Sequence, residues 1–195
     1  MPTSFETVKW LYKSAGIDGN KIAPRGSTEY VDIGQPFLVL IDYANTPHAL
    51  ESTLTKLKAI ALARQGRLVV LFGCGGNRDR GNRSRMGKIA SDVADFVVVT
   101  DDNPGSEYSW GIIEDILQGF NQHMKKFRDY IVIQDRKKAI IYTIQHAEPN
   151  DIVILAGKGH ETGQILKSET IPFDDREHAI KAITNRRTPG VYSIA

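Results

Sequence analysis

From Phe37 onward, short apolar runs rich in β-branched residues alternate with segments whose apolar residues return every three or four positions. The runs at 37–43, 67–73, 96–100, 130–133 and 151–156 are mostly continuous rather than alternating, which is the pattern of strands covered on both faces. Between the first two runs, Leu50, Leu54, Leu57 and Ala61 form a helical stripe, with Thr46 placed to cap it and Pro47 at its first position. Met86, Ile89, Ala90 and Val93 make a second stripe, and Ile112, Ile113, Ile116, Leu117 and Phe120 a third. Ile140, Ile141 and Ile144 follow the cap candidate Asp135, and Ala179, Ile180 and Ile183 close the series. Strands and helices in strict alternation predict an α/β fold, a Rossmann-like, doubly wound and mostly parallel sheet of about six strands. The segments 164–166 and 169–173, separated by Lys167 and Ser168, predict a late antiparallel hairpin, which would place an antiparallel element late in the sheet.

Residues 1–36 break this rhythm. One helix is possible over 5–15, and then Gly16, Gly19, Pro24, Gly26 and Gly34 follow in quick succession, so this stretch reads as a leader or interdomain linker ahead of a folded unit over 37–195. Composition adds limits. With 195 residues and 41% hydrophobic content the chain can bury a core without staples. The single Cys74 cannot form an internal bridge, no signal-peptide pattern opens the sequence, and no apolar run reaches the roughly 20 residues of a membrane span, which together point to a cytoplasmic location away from membranes. Twenty-five Lys and Arg against 23 Asp and Glu leave a net charge of +2, too little to argue for a nucleic-acid partner.

In a doubly wound sheet, ligands bind at the carboxyl ends of the strands. Four loops at those ends carry unusual chemistry. The first, Asp42-Tyr43-Ala44-Asn45-Thr46-Pro47, also fits plain capping and turn formation. The second places Gly73, Gly75 and Gly76 ahead of Arg78, Arg80, Arg83 and Arg85. Such glycines let backbone N–H groups approach an anion, and guanidinium forks match carboxylate or phosphate oxygens; a merely solvated basic loop is the alternative. It is neither a Walker A loop nor a dinucleotide fingerprint. The third, Asp101-Asp102-Asn103-Pro104-Gly105-Ser106-Glu107, is acidic where the second is basic, although it also reads as an ordinary turn. The fourth packs Lys158, His160 and Glu161 among Gly157 and Gly159. Opposite charges on neighbouring strand ends suit a zwitterion such as an amino acid. The histidines have no metal-ligand spacing and no nucleophile elbow is present, so a zinc site or a serine hydrolase is not expected. His160 is either a general base or a structural histidine, His48 is expected to face solvent, and Trp10 and Trp110 are expected to anchor packing.

These loops, in this order and together with Ile171-Pro172-Phe173-Asp174-Asp175-Arg176-Glu177, resemble the C-terminal domain of the Mur ligases, in the branch that adds the third residue of the peptidoglycan stem peptide. The resemblance runs from about Gly26 to Ile183. It implies an ATP-dependent, magnesium-assisted ligase: a UDP-N-acetylmuramoyl dipeptide carboxylate is phosphorylated, and the acyl phosphate is attacked by an amino acid's amine. It further implies that Arg83 grips the amino acid's carboxylate, that Asn103, Gly157 and Glu161 read its other polar groups, and that Asp42, Tyr43 and Asn45 lie near the nucleotide. Asp102, Lys158 and His160 are further polar contributors. The central ATPase and UDP-sugar domains of such a ligase, which carry the Gly-Lys-Thr phosphate loop, are not among these residues, so the chain alone is expected to be inactive. Three departures stand out. Gly105 replaces the arginine of the Asp-Asn-Pro-Arg motif that holds the distal carboxylate of diaminopimelate, which favours lysine or another diamino acid without that group. Asn45 replaces a histidine, and Ser27 stands in place of a linker arginine. A free-standing, non-catalytic module that binds anions or amino acids is the alternative reading.

Overall fold

A computed structural model of the chain describes residues 28–167 and 169–187. The helix expected over 5–15, Trp10 and Ser27 lie outside them. The elements run β1 (Glu29–Val31), β2 (Leu38–Asp42), α1 (Pro47–Ala63), β3 (Leu68–Phe72), α2 (Gly81–Val93), β4 (Phe96–Val99), α3 (Ser109–Leu117), β5 (Tyr130–Val132), α4 (Arg136–His146), β6 (Ile152–Ala156), β7 (Gly163–Leu166), β8 (Glu169–Pro172) and α5 (Asp175–Arg187). Six strands form one sheet in the order β1-β2-β6-β3-β4-β5; β2, β6, β3, β4 and β5 are parallel, and β1 is antiparallel to β2.

The continuous apolar strands are explained by helices on both faces. Leu40, Val70, Val97 and Ile154 face α1, α2 and α3 through Leu54, Ala90 and Ile113. The alternate residues Ile41, Leu71, Val98 and Leu155 face α4 and α5 through Ile140, Ile144, Ala179 and Ile183. Each helix therefore buries its apolar stripe on one side of the sheet, as the three-to-four spacing demands. Two helix starts follow the expected cap chemistry. The Thr46 hydroxyl accepts from the Ala49 N–H at 3.3 Å ahead of Pro47, and the Asp135 carboxylate accepts from the Lys138 N–H at 3.0 Å.

Three expectations are corrected. Residues 29–31, assigned to the linker, pair with β2 as the edge strand, in the register Glu29↔Ile41. Three residues next to a Gly- and Pro-rich stretch carry too little periodicity to announce a strand. The hairpin forms with Gln164 opposite Ile171 and Lys167 at φ 56°, the left-handed conformation favoured in a tight hairpin turn, but it is a separate two-stranded sheet rather than an extension of the main one. Trp110 is 40% exposed, because the inward face of α3 is taken by Ile112, Ile113 and Ile116.

Candidate functional site

The strand order sets β2, β6, β3 and β4 side by side, so the four charged loops emerge next to one another at the carboxyl edge of the sheet. A cavity of 250 Å³ lies between them, lined among others by Gly75, Arg78, Asp102, Asn103, Gly105 and Glu161. A second hollow of 480 Å³ adjoins it through Asn45, Cys74, Gly75 and Arg78 and reaches Arg83. The glycine-arginine loop and the Glu161 segment, separated by about 80 residues of sequence, thus meet around one space. A groove of 370 Å³ between α4 and α5, lined by Lys137, Ile141, His178 and Lys181 among others, contains none of the four loops and has no acidic residue in its lining.

Three loops are tied to one another by their own polar groups. The Lys158 side chain is completely buried, and its ammonium donates to Asn103 Oδ1 at 2.9 Å and to Glu161 Oε2 at 3.1 Å, with Asp102 Oδ1 at 3.6 Å. Asn103 Nδ2 donates to Glu161 Oε2 at 2.9 Å. Asp102 is buried, and its Oδ1 has no hydrogen-bond partner among the described residues. Burial pushes its carboxyl above the usual carboxylate range, opposed by the positive charges of Arg136 and Lys158. The hairpin closes the same corner. Ile165 N–H donates to Asn103 Oδ1 at 3.0 Å, Gly105 N–H to the Ile165 carbonyl at 3.1 Å, and Gln164 Nε2 to the Asp102 carbonyl at 2.8 Å.

The glycine-arginine loop is built differently from the sequence expectation. A Cβ at Gly73 would fall 2.2 Å from the Thr100 carbonyl oxygen, and one at Gly76 only 1.8 Å from that of Pro104. These glycines are required by backbone packing against the neighbouring acidic loop, and the Gly76 N–H is spent on the Asn103 carbonyl at 2.9 Å. All three line the cavity, but Gly75, whose nearest neighbour would be the Arg78 side chain at 3.5 Å, is the one with room for a side chain.

The arginines are equally unequal. Arg83 is buried, with Nη2 donating to Glu107 Oε1 and Nη1 to Asp115 Oδ2, each at 2.9 Å, while its Nε has no partner among the described residues. Arg80 completes the network on Asp115 at 3.1 and 3.2 Å. The Arg83 guanidinium holds Glu107 below its usual carboxylate range, and those of Arg80 and Arg83 do the same for Asp115. The guanidinium that the resemblance gave to a substrate carboxylate is here already matched by two protein carboxylates. Arg78 makes no hydrogen bond or ion pair with any described residue, although it lines both hollows.

Of the other expected site residues, Asp42 serves as a strand-end turn former: Oδ1 accepts from the Ala44 N–H at 2.8 Å and Oδ2 from the Thr28 hydroxyl. Gly157 donates its N–H to the Asp42 carbonyl at 3.0 Å. Tyr43 is exposed and stacks on the exposed His160, ring centroids 5.6 Å apart, at the rim. His48 faces solvent. Sequence reasoning passed over Arg136 altogether. Its buried side chain forms a two-point pair with Asp175 at 2.8 and 2.7 Å, and it also donates to the Ala156 carbonyl at 3.1 Å and the Asp101 carbonyl at 3.3 Å. This arginine fastens α4 and α5 beneath the residues that precede Asp102 and Gly157. The only hint was an arginine one position after a helix cap.

The domain is thus doubly wound, with a charged crevice at the strand ends that has acids on one wall and an uncommitted guanidinium on another. The chain belongs to the Mur ligase family: residues 28–159 match the model for the Mur ligase, glutamate ligase domain. It is 47% identical over 161 residues, 83% of its length, to a UDP-N-acetylmuramoyl-L-alanyl-D-glutamate–2,6-diaminopimelate ligase from Solibacter usitatus, and 50% identical over 141 residues, 72% of its length, to the ligase of that name from Rickettsia bellii. It covers 31% and 28% of those proteins, so the chain spans about a third of the relatives it matches. A solved structure of a ligase of the same name superposes with a TM-score of 0.75 at 33% identity, covering 90% of this chain and 36% of that one. A murein peptide ligase from Psychrobacter arcticus, 17% identical with a TM-score of 0.56 over 92% of this chain and 33% of that one, shares the fold. No helix among the described residues is long and apolar enough to cross a membrane.

Proposed function

We propose that the chain is the amino-acid-binding lid domain of a cytoplasmic, ATP-dependent ligase that adds a diamino acid to UDP-N-acetylmuramoyl-L-alanyl-D-glutamate in peptidoglycan synthesis. The observation that carries this reading is the convergence of Gly75 and Arg78 with Asp102, Asn103 and Glu161 around one cavity of 250 Å³. That volume lies near the lower end of ligand sites, about 300 to 1,000 Å³, and suits an amino acid better than a nucleotide.

This chain's share of the reaction is to bind and aim the nucleophile. Asp102 Oδ1, buried without a hydrogen-bond donor, and Glu161 offer acceptors to an ammonium group. Lys158 and the hairpin hold those acceptors in place, which fixes the direction from which the amine approaches its partner. After the ammonium gives up one proton to solvent, the amine would attack the acyl carbon of a dipeptidyl phosphate; the carbon–oxygen bond breaks with its pair going to the departing phosphate, which takes the nitrogen's second proton as the amide forms. The residues present do not fit the earlier half-reaction. The sequence contains no Gly-Lys-Thr loop, and among the described residues no group of three His, Cys, Asp or Glu could hold a metal ion. Binding of ATP and magnesium is therefore assigned to other domains of the complete ligase, with Tyr43, Asn45 and His160 on the rim that would face them.

The test is a chimaera in which the chain replaces the matching third of the Solibacter relative. It is expected to release ADP only when both the UDP-linked dipeptide and a diamino acid are present, whereas the chain alone shows no substrate-stimulated ATP hydrolysis. Amide formation by the chain alone, or a chimaera indifferent to the diamino acid, overturns the proposal. A chimaera that folds and binds the amino acid yet forms no product favours the free-standing binding module instead.

A further inference from the structure

We propose that Arg78 is the specificity-determining residue of this pocket, its guanidinium holding the second carboxylate of a diamino dicarboxylic substrate. This deepens the reading above and rests on it. The first support is the accounting of cations. Arg80 and Arg83 are matched by Asp115 and Glu107, and Lys158 is enclosed by Asn103, Glu161 and Asp102. Arg78 alone of the cavity's cations has no partner among the described residues, while lining both hollows.

The second support is shape. The stem of Arg78 lies along Gly75, where an added Cβ would stand at ordinary contact distance, 3.5 Å from both Cδ and Nε, so the arginine is laid against a residue that lines both hollows. On the adjoining acidic loop Gly105 sits at φ +58°, and a Cβ there would fall 2.9 Å from Asn77 Oδ1, next to Arg78. The loop is thus shaped against a side chain at 105, and the counter-charge comes from the facing loop instead.

The third is charge balance. Asp102 and Glu161 offset Arg78 and Lys158, so the site is neutral with those groups ionised. A ligand with two ammonium and two carboxylate groups is also neutral: one carboxylate can take the open Nε of Arg83, which lines the adjoining hollow, and the other gives Arg78 a fork-matching acceptor, whereas lysine carries one net positive charge and has a single carboxylate to serve both arginines. This revises the expectation of lysine drawn from Gly105, and it agrees with the substrate printed in the names of the relatives.

Calorimetric titration of the full chain with meso-diaminopimelate and with L-lysine tests the proposal, using wild type, R78A and R78K, each checked for an unchanged melting temperature. Wild type is expected to bind meso-diaminopimelate more tightly than lysine. R78A should weaken meso-diaminopimelate by roughly ten- to a hundredfold, as expected for loss of a hydrogen bond between charged groups, with lysine binding unchanged. R78K should recover part of the loss by restoring the charge without the fork. Equal affinity for the two ligands in wild type, or an R78A loss of equal size for both, overturns the assignment of Arg78 while leaving the amino-acid pocket standing. Binding of neither ligand overturns the pocket reading and the assignment together.

Discussion

The Arg136–Asp175 pair permits the most quantitative check on how the site is supported. Both side chains are fully buried, and the guanidinium is held by two carboxylate contacts at 2.8 and 2.7 Å and by the carbonyls of Ala156 and Asp101. The substitution Asp175→Asn keeps the volume but removes the charge, leaving a buried guanidinium with neutral acceptors only. Breaking one side of such a pair costs about 3 to 5 kcal/mol. For a chain of this size each kcal/mol lowers the melting temperature by about 2 to 4 °C, so a fall of roughly 6 to 20 °C is expected by scanning calorimetry. The double replacement Arg136→Met with Asp175→Leu removes both charges and should recover most of the loss, since an apolar pair of similar size avoids the desolvation penalty. Because Arg136 also fastens the backbone ahead of Asp102 and Gly157, D175N should weaken diamino-acid binding at temperatures where the protein remains folded. A D175N protein melting within 2 °C of wild type, or a double variant less stable than D175N, would refute the reasoning.

Other consequences follow from the same geometry. Gly76→Ala should shift the loop and lower stability, because its Cβ would sit 1.8 Å from the Pro104 carbonyl oxygen, whereas Gly75→Ala should melt close to wild type; equal melting temperatures would contradict the packing account. Cys74 is buried and its thiol is pushed up to about 12 by burial, so it should resist iodoacetamide at pH 8 in the folded protein and react at an ordinary rate in denaturant; rapid native labelling would show the strand end to be open. Glu107 and Asp115 have folded-state pKa values held below their unfolded values by Arg83 and Arg80. Their contribution is present at neutral pH and is lost as pH falls below about 4, through the folded values. Urea midpoints measured across that window should therefore fall with pH, and E107Q should flatten part of the slope; an unchanged slope would separate this network from acid unfolding.

The sheet was legible because its information is periodic. Val97, Val98 and Val99 could only be a strand covered on both sides, and Leu50, Leu54 and Leu57 only a helix with one buried stripe. The loops were legible because strand ends are where a doubly wound sheet gathers its chemistry, whereas the strand order that sets β3 beside β6, and so brings Gly75 near Glu161, was not. Partnership within the site was not legible. Nothing in the run from Arg78 to Arg85 distinguishes Arg83, neutralised by acids 24 and 32 residues away, from Arg78, which has none among the described residues. The same holds for Gly73 and Gly76, whose role is set by a carbonyl approaching from another loop, and for Arg136, whose partner lies 39 residues on in α5. Local pattern specifies which face a residue presents, while ion pairing is settled by which loops the topology brings together.

The central claim, that the strand-end cavity receives a zwitterionic diamino acid, is tested most directly by following backbone amide resonances of the isotope-labelled chain during titration with meso-diaminopimelate. Shifts should concentrate at Gly75, Asn77, Asn103, Gly105 and Glu161, saturate with a single affinity, and leave the α4–α5 groove around Lys137 and Lys181 unmoved. Saturable shifts confined to that groove, or no shifts at the cavity residues at millimolar ligand, would contradict it.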